Sequence, residues 1–232
     1  MMLACPRDEG GLPDTVTCRL CGGSNLCLVE ASPARPYWQC QRCDAVFVDQ
    51  AALPSRALEH EHYCRHENDP TDPQYRQFLA RLGEPLLERL PAQSSGLDYG
   101  CGPGPGLAAM FREAGHEITL FDPFFAPDRS VLATQYDFIL CCEVAEHFHQ
   151  PGEQFALLTS LIRSGGWIGI MTCFRDRDRS FEGWHYRRDP THVVFYTEDT
   201  FAWIGRKHGL AVEIPRKNVA LLRMPRAEGD LG

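Results

Sequence analysis

Seven consecutive residues, Gly100-Cys101-Gly102-Pro103-Gly104-Pro105-Gly106, constrain this chain more than any others. They follow Leu97-Asp98-Tyr99, which ends a short strand, and precede Leu107–Gly115, which reads as a helix stopped by a glycine. A glycine loop between strand and helix lets a ligand approach the backbone at a helix N-terminus. The dinucleotide fingerprint G-x-G-x-x-G does not fit, because Pro105 stands third after Gly102. Asp98 lies just before the loop, and Asp122 follows the next strand, Glu117–Phe121. A carboxylate at that second strand tip is placed to accept hydrogen bonds from ribose hydroxyls.

Further along, Tyr136-Asp137-Phe138-Ile139-Leu140-Cys141-Cys142-Glu143 reads as a strand, and Ile162-Arg163-Ser164-Gly165-Gly166-Trp167 as a turn into another. On these motifs residues 71–224 resemble the class I S-adenosylmethionine-dependent methyltransferases. The resemblance implies an α/β, Rossmann-like sheet of the seven-strand type, mostly parallel, closed by an antiparallel hairpin over Leu210–Pro215 and Asn218–Met224. It assigns S-adenosylmethionine to Tyr75, Asp98, Gly100, Cys101, Gly102, Gly104, Phe121, Asp122 and Glu143. One departure is plain: only 14 residues separate Asp122 from Asp137. Pro123-Phe124-Phe125-Ala126-Pro127 cannot form the usual helix, so the second crossover is expected to be short, with at most a strand stub around Ser130–Ala133. Adenine recognition is correspondingly undetermined; Phe124 and Phe125 suit either stacking or the core.

Glu143-Val144-Ala145-Glu146-His147 places two carboxylates and an imidazole on one face if it forms a helical turn. Such a set suits a divalent cation. The string is similar to those of the ubiquinone-pathway O-methyltransferases and the small-RNA 3′-terminal 2′-O-methyltransferases, which implies a metal on Glu143, Glu146 and His147 that binds substrate hydroxyls. The small-RNA enzymes add a later histidine, and His192 occupies that position. The ion expected is Mg²⁺, Mn²⁺ or Zn²⁺. His147 or His192 acting directly as base, with Glu146 beside them, is the alternative. Trp184, His185 and Tyr186 offer an acceptor wall and Arg187 and Arg188 an anion contact, against the plainer reading of a packed loop with solvated arginines.

The N-terminal part carries a second pattern. Cys18-Arg-Leu-Cys21 and Cys40-Gln-Arg-Cys43, 18 residues apart, supply four thiolates from two tight turns, the donor set of a tetrahedral structural Zn²⁺. A zinc ribbon over 15–49 is expected, then a linker or lid over 50–70, the methyltransferase domain over 71–224 and a flexible tail over 225–232. His60, His62, Cys64 and His66 form a weaker candidate metal cluster in the linker. Asp72-Pro73 starts a helix, and Pro85 is expected to restart it before Pro91.

Eleven cysteines, an odd number, argue against a disulfide framework and for a cytoplasmic location, with no disulfide partner. Leu3-Ala4-Cys5 looks like a lipobox but follows no apolar stretch. No apolar run of about 18 residues suggests a membrane span. The net charge of −8 provides no global basic field for nucleic acid. A small hydroxylated acceptor is therefore favoured. The alternatives are an RNA acceptor gripped by the ribbon, whose only cations are Arg19, Arg35 and Arg42, and a non-enzymatic partner-binding protein.

Overall fold

The computed structural model describes residues 16–30, 35–65 and 68–227. Three short strands, β1 (Leu26–Glu30), β2 (Tyr37–Cys40) and β3 (Val46–Val48), form an antiparallel meander, with Cys18 and Cys21 around the turn before β1, Cys40 ending β2 and Cys43 between β2 and β3. Helix α1 (Arg56–Tyr63) follows, then α2 (Pro73–Leu87), capped by the Asp72 carboxylate accepting from the Gln74 N–H. The break expected at Pro85 does not occur. Pro85 sits in the last turn, where its missing N–H costs a single bond, while the buried Leu82 and Leu86 keep the helix docked.

From there strand and helix alternate: β4 (Ser95–Tyr99), α3 (Gly106–Glu113), β5 (Glu117–Phe121), β6 (Tyr136–Cys142), α4 (Pro151–Ser160) and β7 (Ile162–Met171). A two-residue strand β8 (Val194–Phe195), helix α5 (Glu198–His208) and the hairpin β9 (Ala211–Arg216) and β10 (Val219–Arg223) complete the chain. The main sheet has the order β5-β4-β6-β7-β10-β9, and within it β10 runs against both neighbours. Leu97, Phe138, Ile139 and Leu140 are fully buried, as interior parallel strands covered on both faces require. The sheet has six strands among the described residues, not seven. The expected stub near Ser130 is a 3-10 helix over Arg129–Ala133, because the crossover is too short to return a strand to the sheet edge.

The meander does not stand apart. Strand β8 extends its sheet, with Val46 opposite Phe195 and Phe47 opposite Val194. Cys18, Leu20, Trp38, Cys40 and Phe47 share one apolar core with Leu97, Ile139 and Ile168 of the main sheet. Two arginines fasten the joint. Arg19 donates to the carbonyls of His149 (2.7 Å), Val48 (2.9 Å) and Val193 (3.1 Å). Arg35 donates to those of Asp189 (3.3 Å), Pro190 (2.9 Å) and His192 (2.7 Å). At the far end, residues 225–227 of the expected tail are tied to the turn in β7, Ala227 N–H donating to Ser164 Oγ at 2.7 Å. No helix of the described residues is long and apolar enough to cross a membrane. The lipobox-like tripeptide, His66 and residues 228–232 lie outside the described residues.

Candidate functional site

The carboxyl ends of β4, β5 and β6 open into a cleft of about 810 Å³. The glycine loop forms one end. Asp122 holds it shut against the next loop: Oδ2 accepts from Gly102 N–H at 3.1 Å, and Oδ1 from Phe124 and Phe125 N–H at 2.8 and 3.1 Å. That triple commitment replaces the missing helix with a tight turn, closed by Asp122 and Ala126 bonding each other's backbone. Phe124 and Phe125 line the cleft and are not core residues. Arg56 lies over the Phe124 ring at 4.7 Å, and Tyr63 meets it edge-on, so α1 roofs the cleft.

Asp98, Gly100, Cys101, Gly102, Tyr75 and Glu143 all line this space. Phe121 and Gly104 do not. Phe121 is buried, and its carbonyl accepts from Gly100 N–H at 2.7 Å, which fixes the turn from behind. Gly104 is required for close approach: a Cβ there would lie 1.9 Å from the carbonyl oxygen of Asn68, which crosses the loop. Gly104→Ala is expected to push Asn68 away and lower the melting temperature by several degrees, on the order of 1–3 kcal/mol for overpacking. An unchanged thermal transition would show that the crossing is not a packed contact.

The other end of the cleft differs from the expected helical turn. Glu143 adopts a left-handed φ of +52°, and the 3-10 turn begins only at Ala145, so Glu143 is not one helical step from Glu146. Tyr186 unites them instead. Its hydroxyl lies 2.5 Å from Glu146 Oε1 and 3.1 Å from Glu143 Oε2, with Thr172 Oγ1 at 3.2 Å. One phenolic proton serves two carboxyls, Glu146 buried and Glu143 half-buried. Burial, then the charge of Glu146, pushes Glu143 up to about 8, and burial pushes Glu146 up to about 7.

Glu146, His147 and His192 form a group with one ligand atom from each within 4.8 Å of the others, and Glu143 falls outside it. The histidines are oriented by carbonyls. His147 Nδ1 lies 3.0 Å from Thr191 O, and His192 Nδ1 lies 2.7 Å from Tyr186 O. A carbonyl only accepts, so each Nδ1 carries the proton and each Nε2 bears the lone pair. Burial lowers His192 to about 4, keeping it neutral. Glu146 Oε2 is buried without a hydrogen-bond partner. A carbonyl-anchored Nδ1–H is the support that metal-ligating histidines use.

Glu59, Tyr63 and His149 complete this end, and no motif in the sequence marks them. His149 Nε2 lies 2.7 Å from Glu59 Oε1, and the Tyr63 ring meets His147 edge-on. The histidine-rich segment 60–66 was the only signal that α1 matters here. Its own residues diverge: His60 faces Phe124, and His62 bonds Asp189 at 3.0 Å. Of the expected acceptor residues, only Tyr186 reaches the carboxylates. Trp184 and His185 line a separate cavity, Arg187 lies over the Tyr37 and Phe181 rings, and Arg188 is exposed. The last two are not brought to the cleft, because the 3-10 turn over His185–Arg188 aims them elsewhere.

The four thiols Cys18, Cys21, Cys40 and Cys43 also converge. Cys18 and Cys43 Sγ are 3.6 Å apart, Cys21 and Cys40 Sγ 3.4 Å, and all four lie within 4.8 Å of one another. Tetrahedral Zn–S bonds of ~2.3 Å put sulfurs about 3.8 Å apart, so the set fits such an ion. Backbone N–H groups of Gly23 and Arg42 donate to Cys21 and Cys40 Sγ, each at 3.4 Å.

Residues 71–213, more than half the chain, match the family model described as Methyltransferase domain, and the chain belongs to that family. It is a methyltransferase with the Rossmann-like class I sheet. Among solved structures, the 1,6-didemethyltoxoflavin-N1-methyltransferase of Burkholderia thailandensis, bound to 1,6-didemethyltoxoflavin and S-adenosylhomocysteine, matches with a TM-score of 0.53 and 18% identity, over 87% of this chain and 100% of that one. Human N-acetylserotonin methyltransferase in complex with S-adenosylmethionine matches with a TM-score of 0.50 and 16% identity, over 76% of this chain and 61% of that one. At such identities the likeness concerns the fold. No curated protein sequence matches the chain.

Proposed function

We propose that this methyltransferase transfers a methyl group from S-adenosylmethionine to a hydroxyl of a small acceptor, with a divalent cation held by Glu146, His147 and His192. The observation that carries the reading is a single cleft with a glycine loop and Asp122 at one end and two imidazoles converging with the buried Glu146 carboxyl at the other. Among the residues lining it, six carboxyl side chains face one arginine, Arg56, which suits a sulfonium cofactor of net positive charge. The glycine loop, Asp98 and Asp122 would hold the cofactor, which supplies a methyl group on a good leaving group. Family membership and the bound cofactors of the two relatives support this half of the reading.

What remains for the chain is alignment and a proton. A neutral hydroxyl is a weak nucleophile near pH 7. The cation, when bound, would orient the hydroxyl and lower its pKa, so that its proton is released to water as the acceptor binds. Glu146 supplies its charge, and the carbonyls that take the two Nδ1 protons leave Nε2 of each histidine as its ligand atom. Tyr186 holds Glu146 Oε1, the carboxylate oxygen 4.0 Å from His147 Nε2. Tyr63, Phe124 and α1 cover the cleft and exclude water from the transfer. A structural Zn²⁺ on Cys18, Cys21, Cys40 and Cys43 is the second metal in this reading.

RNA is a poorer acceptor on these grounds, since Arg19 and Arg35 spend their guanidinium donors on internal carbonyls rather than on a phosphate-binding face. Metal analysis of the purified protein by mass spectrometry tests the pair of sites. About two ions per chain are expected, falling to about one in a His147→Ala, His192→Ala variant. Full turnover by that variant would remove the metal-assisted mechanism.

A further inference from the structure

Behind the cleft lies a second cavity of about 410 Å³, between the segment that leaves β7 and the β9–β10 turn. Glu143 and Phe78 line both spaces, so the two adjoin there. Tyr186 belongs to the wall of the second cavity, yet its hydroxyl reaches Glu146 in the first.

The two spaces are opposite in charge. The second is lined by Arg81, Arg175, Arg179 and Lys217 against Glu143 and Asp176, and Asp176 is already paired with Arg179 at 3.2 Å. In a chain of net charge −8 this is a local reversal of sign. Arg175 Nε and Nη1 are buried without hydrogen-bond partners. The acid whose charge reaches Arg175, Asp44, is engaged by Arg177 at 2.6 Å and by the Thr197 hydroxyl at 2.7 Å. Arg81 donates to the Lys217 carbonyl at 3.1 Å, which keeps both cations on one wall. Phe181 and Trp184, with ring centroids 6.1 Å apart, give the opposite side an aromatic face. A guanidinium with unmade buried bonds suits an oxyanion, a carboxylate or a phosphate.

We propose that this second cavity is an acceptor subsite for an anionic group, a carboxylate or phosphate carried on a flat acceptor whose hydroxyl end enters the cleft past Tyr186. The proposal rests on the reading that the chain methylates a small acceptor, and it names the charge class of that acceptor. The expected anion contacts are Arg81, Arg175 and Lys217, in place of Arg187 and Arg188.

Ligand-observed NMR on the full chain, saturated with S-adenosylhomocysteine, tests this with three probes of one shape: benzoate, phenyl phosphate and benzamide. At least one anionic probe should bind ten times more tightly than neutral benzamide, and which one does so distinguishes carboxylate from phosphate. Arg175→Gln and Arg81→Gln should each reduce that preference several-fold without changing benzamide binding. Lys217→Gln, in an exposed turn, gives the same readout if either arginine variant fails to fold. Equal binding of all three probes, or an anion preference untouched by every variant, overturns the proposal. Failure to saturate with S-adenosylhomocysteine would strike the underlying reading instead, so the two failures are distinguishable.

Discussion

Glu146→Gln is expected to cost at least a hundredfold in turnover while making the metal-free protein, prepared with a chelator, more stable at pH 8. The loss follows from removing the one charged member of the Glu146, His147, His192 group, whose neutral replacement binds a cation poorly. The gain follows from linkage. Without the ion, burial raises Glu146 to about 7 in the folded chain, against ~4.3 when unfolded. Between those values the native state keeps a proton that the unfolded state has released, so stability falls as pH rises through that window and then levels off. Glutamine removes the penalty. The stabilisation should be small at pH 5 and reach on the order of 2–4 kcal/mol above pH 7, seen as a melting-temperature gap that opens with pH. The neighbouring Glu143, pushed the same way, leaves a residual slope in the variant. A variant less stable than wild type at both pH values would show that Glu146 is a structural anchor. Such opposition of stability and activity is what a buried, under-bonded carboxylate implies.

The second large effect is expected from Cys40→Ser. Taken alone, the cysteine spacing implies that losing the metal would unfold only the ribbon. The fold argues for a wider loss. The thiols sit in the same core as the main sheet, β3 is paired with β8, and Arg19 and Arg35 hold the carbonyls of Val193 and His192. Structural zinc contributes roughly 10–16 kcal/mol in small finger domains, comparable to the whole stability of a domain at ~5–15 kcal/mol. Cys40→Ser should therefore lose its zinc, melt at least ten degrees lower and lose turnover in step, because His192 loses its backbone supports. Zinc content, thermal unfolding and methyl transfer on one preparation check this. A zinc-free variant with normal turnover would mean that the ribbon is independent of the site.

What the sequence made legible was local. The glycine loop, the helix after it and the acid after the second strand depend on neighbours in the chain, and each lies where its pattern placed it. The cysteine pairs were legible because two-residue spacing is itself a geometry. The site was only half legible, since its working contacts cross long intervals. Tyr186 meets Glu146 across 40 residues, His149 meets Glu59 across 90, and Arg19 meets Val193 across 174. No periodicity encodes such pairs. The helical turn expected at Glu143 failed because that residue turns left-handed as β6 ends, with its N–H bonded to Met171 O at 2.8 Å. The missing third strand was foreshadowed by the short interval after Asp122, but the 3-10 helix that replaces it was not.

The most direct test is a calorimetric titration of the full-length protein with S-adenosylhomocysteine, beside an Asp122→Asn variant. One site per chain with an affinity of about micromolar order is expected, weakened at least tenfold in the variant. A folded wild-type protein that releases no heat of binding would contradict the account at its centre.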